Sequence, residues 1–386
     1  MKRSDNRRTV RERIPGSTAI TSLALLLASL WLPGKASAAL LTQLPNPVLA
    51  HGAAWDHEYA YGPKVLHVGN IYYMFYSAFA YAGPTGYWYN IAAATSTNGL
   101  AWTKSGPIIE PTQPWEGGFV DKPTAVHVNG VFHLWYHCKL PTTAIGYAQS
   151  TDGVTWTKHS APVLETRPGS FDSQGLAAPT VVWRDGKFHM LYDAADDAST
   201  WRVGYAWSTD GTNWVRRDTP VIGLPAAVGA TDMVQSGPQV FAVYHKRVSV
   251  GNTINLAASV DFVNWTDFPA NPILVAANPW EEGNVYASGL LLENDRFRLW
   301  YTGGAGAPPR DIGYAEGSLP NWLNLDFIAR LTLYGPVGAN YRIDYSMDLK
   351  TWNTLTNITL SASPYEYVDW TSPGSPHRIY RAVPKP

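Results

Sequence analysis

The sequence predicts an all-β fold: a five-bladed β-propeller followed by a small C-terminal β-sandwich-like domain. Three observations predict it. A two-part phrase recurs five times at blade-length spacing, the composition favours short strands and turns, and no segment sustains a helical period.

The first phrase ends in tryptophan in four copies: IAAATSTNGLAW (91–102), IGYAQSTDGVTW (145–156), VGYAWSTDGTNW (203–214) and INLAASVDFVNW (254–265). A truncated fifth copy is IGYAE (312–316). Trp102, Trp156, Trp214 and Trp265 lie 54, 58 and 51 residues apart. The second phrase precedes each copy and ends at Tyr76, Tyr136, Tyr192, Tyr244 and Tyr301, in forms such as PKVLHVGNIYYMFY (63–76) and PTAVHVNGVFHLWY (123–136). Each unit reads as strand, Gly or Asp turn, aromatic alternating strand, loop, strand, Ser-Thr-Asp-Gly turn and fourth strand. One such sheet cannot bury both faces, whereas sheets packed radially can. The repeated tryptophans are expected to pack between blades.

Composition agrees. Charged residues make up 15% of the 386-residue chain, against about a quarter in a typical domain, while it carries 17 Trp, 22 Tyr, 33 Gly and 29 Pro. The net charge of −1 is spread among interspersed acids and bases, which excludes the basic field that nucleic acid or an anionic membrane needs. At the N-terminus, the basic MKRSDNRRTVRER, the apolar run 19–32 and Ala36-Ser37-Ala38 predict a signal peptide over residues 1–38. The apolar run is shorter than the roughly 20 residues that span a bilayer. No membrane span is expected after cleavage, and the mature protein is expected to be secreted or periplasmic. A lone Cys138 excludes an intramolecular disulfide. The propeller is expected over 39–325, and a small β domain over 326–386, where the phrase order breaks.

The phrase pair resembles the five-bladed furanosidase-like superfamily, which includes glycoside hydrolase families 43, 32, 68 and 117. The C-terminal segment resembles terminal β modules of secreted bacterial proteins. The resemblance implies a glycosidase with several carboxylates at the inner-strand ends. Residues just before each P-x-V phrase then face the ligand: Tyr61-Gly62, Asp121-Lys122, Ala177-Ala178, Ser236-Gly237 and Ala287-Ser288. Only Asp121 supplies an acid there.

A second set of acids, Asp56, Glu116, Asp172, Asp232 and Glu281, lies about seven residues upstream, and its repetition argues for a structural task. Non-repeated polar residues are more diagnostic, since blade building does not require them. These are His57 and Glu58; Asp121, Lys122 and His137; Asp193, Asp196 and Asp197; His245, Lys246 and Arg247; and Glu282, Tyr286 and Arg310.

Glycoside cleavage needs a proton donor for the leaving oxygen and a second carboxylate for water or the sugar carbon. Asp121 is the first catalytic candidate, then Glu58 and Asp193, then Asp56 and Asp172. Trp55, Tyr61, Trp115, Lys122, His137, His245, Trp280, Glu282 and Tyr286 are candidates for substrate binding, the aromatic rings by stacking on sugar faces. His57, His137 and His245 lack the local spacing of a metal motif, so no metal or other cofactor is expected. The leading expectation is an exported glycoside hydrolase acting on a polysaccharide or oligosaccharide. A non-catalytic carbohydrate-binding propeller is the alternative, and attachment to a cell surface is an expected role for the C-terminal domain.

Overall fold

Alternation of apolar and polar residues closes five antiparallel sheets, each built outward from an inner strand. The computed structural model describes residues 40–81, 86–139, 143–196, 201–224, 229–249, 251–304, 309–318, 329–369 and 378–385. The expected signal peptide and Asp197 lie outside them.

Blade one runs Tyr59–Val68, Ile71–Tyr81, Tyr87–Ser96 and Thr103–Ile109. Blade two runs Val120–Val128, Val131–Cys138 and Ala144–Ser150, with Thr157–Lys158 and Leu164–Glu165 both on its third strand. Blade three is Gly175–Arg184, Lys187–Ala195, Trp201–Ser208 and Val215–Arg216. Blade four is Gly229–Ser236, Gln239–Val248, Gly251–Ser259 and Thr266–Asp267.

Blade five is assembled differently. Val285–Tyr286 and Leu290–Glu293 both pair with Arg296–Gly303, followed by Asp311–Ser318, and its outermost strand is Thr42–Gln43 from the start of the described residues. Thr42 faces Glu316 and Gln43 faces Ala315, so the ring closes by pairing its two ends. The inner strands of successive blades touch in ring order, with blade five returning to blade one.

The repeated turn has a common hydrogen-bond scheme. In blade three, Ser208 Oγ accepts from the Gly211 N–H, and Asp210 Oδ1 accepts from the Thr212 and Asn213 N–H groups. Trp214 Nε1 donates to the Gly211 carbonyl, which also accepts from Trp135 of blade two. Trp102 and Trp300 share the Gly99 carbonyl in the same way, joining blades one and five. The phrase tryptophan thus caps its own turn, and the turn carbonyl ties the neighbouring blade.

The chain separates into two compact units after residue 322. The second contains a two-stranded sheet, Ala329–Leu333 with Tyr365–Asp369, and a three-stranded one, Asn353–Thr359, Asn340–Ser346 and Ile379–Lys385. Leu331, Leu333, Ile343, Ile358 and Leu360 form its core. No helix among the described residues is long and apolar enough to cross a membrane.

Candidate functional site: an axial cavity with one flanking carboxylate

The inner strands of blades one, two and three each carry a bulge just before proline, at Gly62-Pro63, Lys122-Pro123 and Ala178-Pro179. Gly62, Lys122 and Ala178 have φ of 58°, 48° and 45°. Left-handed backbone in Lys and Ala costs about 1–3 kcal/mol and persists where the surroundings enforce it. Proline has no N–H to lose from the ladder, so a bulge is accommodated there and re-aims the chain toward the axis. Cross-blade bonds hold the bulges: the Lys122 N–H donates to Ser77 Oγ at 2.7 Å and the Gly62 N–H to Thr302 Oγ1 at 2.9 Å.

These bulges line an axial cavity of about 200 Å³. Its polar lining is Tyr61, Lys122, His245, Tyr286, Ser288, Thr302 and Arg310, and among the described residues no carboxylate lines it. Arg310 lies over the rings of Tyr59 and Tyr286, each at 5.2 Å, and of Tyr61 at 5.9 Å. His245 meets Tyr286 edge-on at 5.4 Å, and its buried Nδ1 has no hydrogen-bond partner among the described residues. Burial, then the charges of Lys122 and Arg310, pull the His245 pKa down to about 4, so its ring is neutral at neutral pH.

Asp121 is one hydrogen bond behind this lining. It is 5% exposed; Oδ1 lies 2.8 Å from His137 Nδ1, and Oδ2 accepts from the Tyr61 hydroxyl at 3.0 Å. Burial pushes its pKa up, but His137, Lys122 and the Tyr61 hydroxyl together outweigh that and hold it below the usual carboxylate value. Burial and the Asp121 charge push the Tyr61 pKa well up, so the phenol remains a donor. His137 Nε2 is buried with no partner among the described residues.

The other candidates occupy different places. Asp193 is buried opposite Ala177, at the register in blade three that Asp121 and His137 occupy in blade two. Glu58 precedes the first inner strand and contacts His57 at 3.2 Å. Glu282 is exposed in the turn after a short 3₁₀ segment, Pro279–Glu281. Asp196 pairs with Arg202 at 2.6 Å.

Asp56 and Asp172 are fully buried and absent from the cavity lining, and their partners give them a packing task. Asp56 accepts from Tyr76 and Lys104, Glu116 from Tyr136 and Lys158, Asp172 from Tyr192, Arg167 and Arg216, and Glu281 from Tyr301. The second-phrase tyrosine thus meets an acid in every blade, a fully buried one in blades one, two, three and five and an exposed one in blade four. In blade four that acid is Asp267, not Asp232. Asp267 holds the fourth-strand position that Lys104, Lys158 and Arg216 hold elsewhere, so the acid comes from the opposite side of the tyrosine.

Asp232 departs from the repeat set in which its sequence spacing places it. It lies on the inner strand of blade four, pairs with buried Lys64 at 2.6 Å, and accepts from Thr180 and the Leu290 N–H. Ser236-Gly237 is also displaced from the expected ligand face: it forms the hairpin to Gln239–Val248. Pro238 imitates the P-x-V signal, but it precedes the second strand of its blade instead of breaking the first.

Trp115 and Trp280 stack on Tyr136 and Tyr301, with their indole N–H groups bonded to Ser160 and Pro45 carbonyls. Trp55 donates to the Tyr76 hydroxyl and also lines a second cavity. No group of three or more potential metal ligands occurs among the described residues.

Residues 119–284 match the model of glycoside hydrolase family 130, described as beta-1,4-mannooligosaccharide phosphorylase. A 1,2-beta-oligomannan phosphorylase of Thermoanaerobacter sp. (strain X514) is 27% identical over 164 residues, which is 42% of this chain and 51% of that protein. The chain therefore matches about half the length of that relative. One solved structure comes from work on family 130 glycoside hydrolases that target beta-1,2 mannosidic linkages in Candida mannan. It is 16% identical with a TM-score of 0.58, covering 74% of this chain and 95% of its own. The beta-1,2-mannobiose phosphorylase of Listeria innocua, bound to beta-1,2-mannobiose, is 12% identical with a TM-score of 0.59, covering 72% and 97%. These structural likenesses show the propeller fold.

Proposed function

We propose that the chain is a carbohydrate-active enzyme that cleaves a mannose-containing oligosaccharide by phosphorolysis, with phosphate in the axial cavity and the sugar beside Asp121. The observation that carries this reading is the lining itself: two cations, an imidazole and several hydroxyls, with no carboxylate among the described residues. Hydrolysis uses two carboxylates, one as acid and one as base or nucleophile. Phosphorolysis takes its nucleophile from phosphate, so an anion seat replaces the second carboxylate. Lys122 and Arg310 supply charge for it, and His245 Nδ1 is a buried polar atom that a ligand would satisfy. The names of the matched family and relative support phosphate as co-substrate and mannosides as the substrate class. Hydrolases are also described in that family, which makes phosphate dependence the property to measure.

Asp121 is ionised in the ligand-free protein, partly through the charge of Lys122. Phosphate beside Lys122 neutralises that charge and adds a negative one, which raises the Asp121 pKa and favours its protonated form. The acid is then ready when the nucleophile is in place. A phosphate oxygen bonds to the anomeric carbon, the glycosidic C–O bond breaks, and the leaving oxygen takes the Asp121 proton. The products are a sugar 1-phosphate and a shortened oligosaccharide.

Lys122→Gln and Arg310→Gln are each expected to raise the KM for phosphate about tenfold or more, the loss typical of a charge-assisted bond, with a smaller change in the KM for mannobiose. Unchanged phosphate KM in both variants would sink the anion seat. Asp121→Asn is expected to lower kcat by about 10²-fold or more, and near-normal turnover would remove Asp121 from the mechanism.

The absence of acids at Gly62 and Ala178 also favours a second reading, a carbohydrate-binding propeller without chemistry. Sugar binding without turnover at any phosphate concentration would select it. Export through residues 1–38 belongs to the proposal too, and N-terminal sequencing of the mature protein beginning after Ala38 checks it.

A further inference from the structure

Blade one carries the longest second and third strands of the five, 11 and 10 residues. The extension is aromatic. Phe79 faces Tyr89, Ala80 faces Trp88 and Tyr81 faces Tyr87 across the hairpin. The rings are left in solvent: Tyr81 is 59%, Tyr87 55% and Trp88 53% exposed. Propeller packing gives no reason for this, because the corresponding hairpin of blade two ends at Cys138 and resumes at Ala144 without an aromatic pair.

Beside the hairpin lies a second cavity, of about 510 Å³, lined by Trp55, Tyr87, Trp88 and Tyr89 with Asn90 and Glu110 among its polar groups. Mixed aromatic faces and a few polar groups in a concave site suit a sugar, whose C–H face stacks while its hydroxyls find hydrogen bonds. A line of ring contacts joins it to the axial cavity: Tyr61 to Tyr59 at 6.1 Å, Tyr59 to Phe79 at 5.0 Å, and Phe79 to Tyr89 at 4.6 Å. Tyr89 continues to Phe119 at 4.5 Å, and Phe119 to His137, the partner of Asp121, at 5.5 Å. Burial, then Tyr87 and the Asp121 carboxylate, raise the Tyr89 pKa. Asp121 is thus linked to the cationic cavity through Tyr61 and to the aromatic hairpin through His137, Phe119 and Tyr89.

We infer that the blade-one hairpin, through Trp88 and Tyr87, is a binding subsite for the part of an oligosaccharide that extends away from the bond being cleaved. The inference rests on the proposed carbohydrate substrate, and it adds a preference for chains longer than a disaccharide. Trp88 and Tyr87 determine that preference by stacking. They take no part in the chemistry.

The test is calorimetric titration of the wild type, Trp88→Ala and Tyr87→Ala with mannobiose and mannotetraose, in both β-1,2 and β-1,4 linkage, without phosphate. Both side chains are more than half exposed, so the variants should melt with the wild type, which thermal unfolding checks. The wild type should bind one tetraose more tightly than its biose. Trp88→Ala should lose about tenfold on that tetraose and less than about twofold on the biose. Equal losses on both sugars, or no loss on either, overturn the subsite. Length-dependent binding that vanishes in Trp88→Ala, together with turnover that ignores phosphate, keeps the subsite and overturns phosphorolysis. A wild type that binds none of these sugars overturns both.

Discussion

At the residue scale, hydrogen-bond partners separate the carboxylates that build the propeller, which meet the second-phrase tyrosines, from Asp121, which meets the cavity residue Tyr61. Asp172 is fully buried yet accepts from Tyr192, Arg167 and Arg216. Burial raises its pKa, but Ser170, Arg167 and Arg216 more than compensate and leave it lowered. A folded pKa below the unfolded one stabilises the protein above the unfolded value, about 3.9. That stabilisation is lost as pH falls through the folded value. His245 acts in the same direction from a different window: its pKa of about 4 lies below that of the unfolded chain, about 6.5, so stability falls as pH drops from the higher value to the lower. The melting temperature should therefore decline below neutral pH and keep falling below about pH 4, where Asp172 takes over from His245, as thermal unfolding across pH will show. Tyr192→Phe leaves Asp172 without its phenol donor and should cost about 1–3 kcal/mol. A cost indistinguishable from zero would contradict the packing task given to the repeated acids.

At the scale of elements, the repeated I-G-Y-A phrase has a steric cause that sequence alone does not reveal. Gly146, Gly204 and Gly313 lie opposite Tyr136, Tyr192 and Tyr301, and a Cβ at any of them would overlap the tyrosine ring. Blade one places Ala92 opposite Tyr76 at the same register, so a shifted ring can be accommodated. Gly204→Ala is accordingly expected to cost about 1 kcal/mol and Gly204→Val about 1–3 kcal/mol more, read from denaturant midpoints. Equal stability of the valine variant would show that the ring contact is not what fixes the glycine.

The local phrases make the strands and turns legible because each depends on residues close in sequence. They also place Tyr61, Lys122 and Ser288 at the cavity. What sequence hides are the pairings across the ring. Asp232 bonds Lys64 across 168 residues, and its spacing imitates the repeat acids while its register does not. The aromatic hairpin is equally hidden, since Phe79, Tyr87 and Trp88 read as ordinary strand residues until their exposure is known.

At the scale of the whole molecule, a ring without disulfides depends on closure. Thr42–Gln43 completes the fifth blade, and Gln43 Nε2 donates to the Val275 carbonyl and to Glu281 Oε1. Beginning the chain at residue 46 should lower the melting temperature by several degrees, since a loss of about 1–2 kcal/mol shifts a protein of this size by that amount. Lys64 and Asp232 close the axis from inside, so Lys64→Met, which strands a buried carboxylate, should be more damaging, at about 3–5 kcal/mol. The ring leaves a cationic axial cavity with the Asp121 carboxylate behind its lining, and phosphorolysis requires that phosphate enter that cavity. Supplying mannobiose with and without inorganic phosphate and following the anomeric products by NMR shows whether it does. Phosphorolysis yields a sugar 1-phosphate whose formation requires phosphate, whereas free mannose released at the same rate without phosphate means hydrolysis instead.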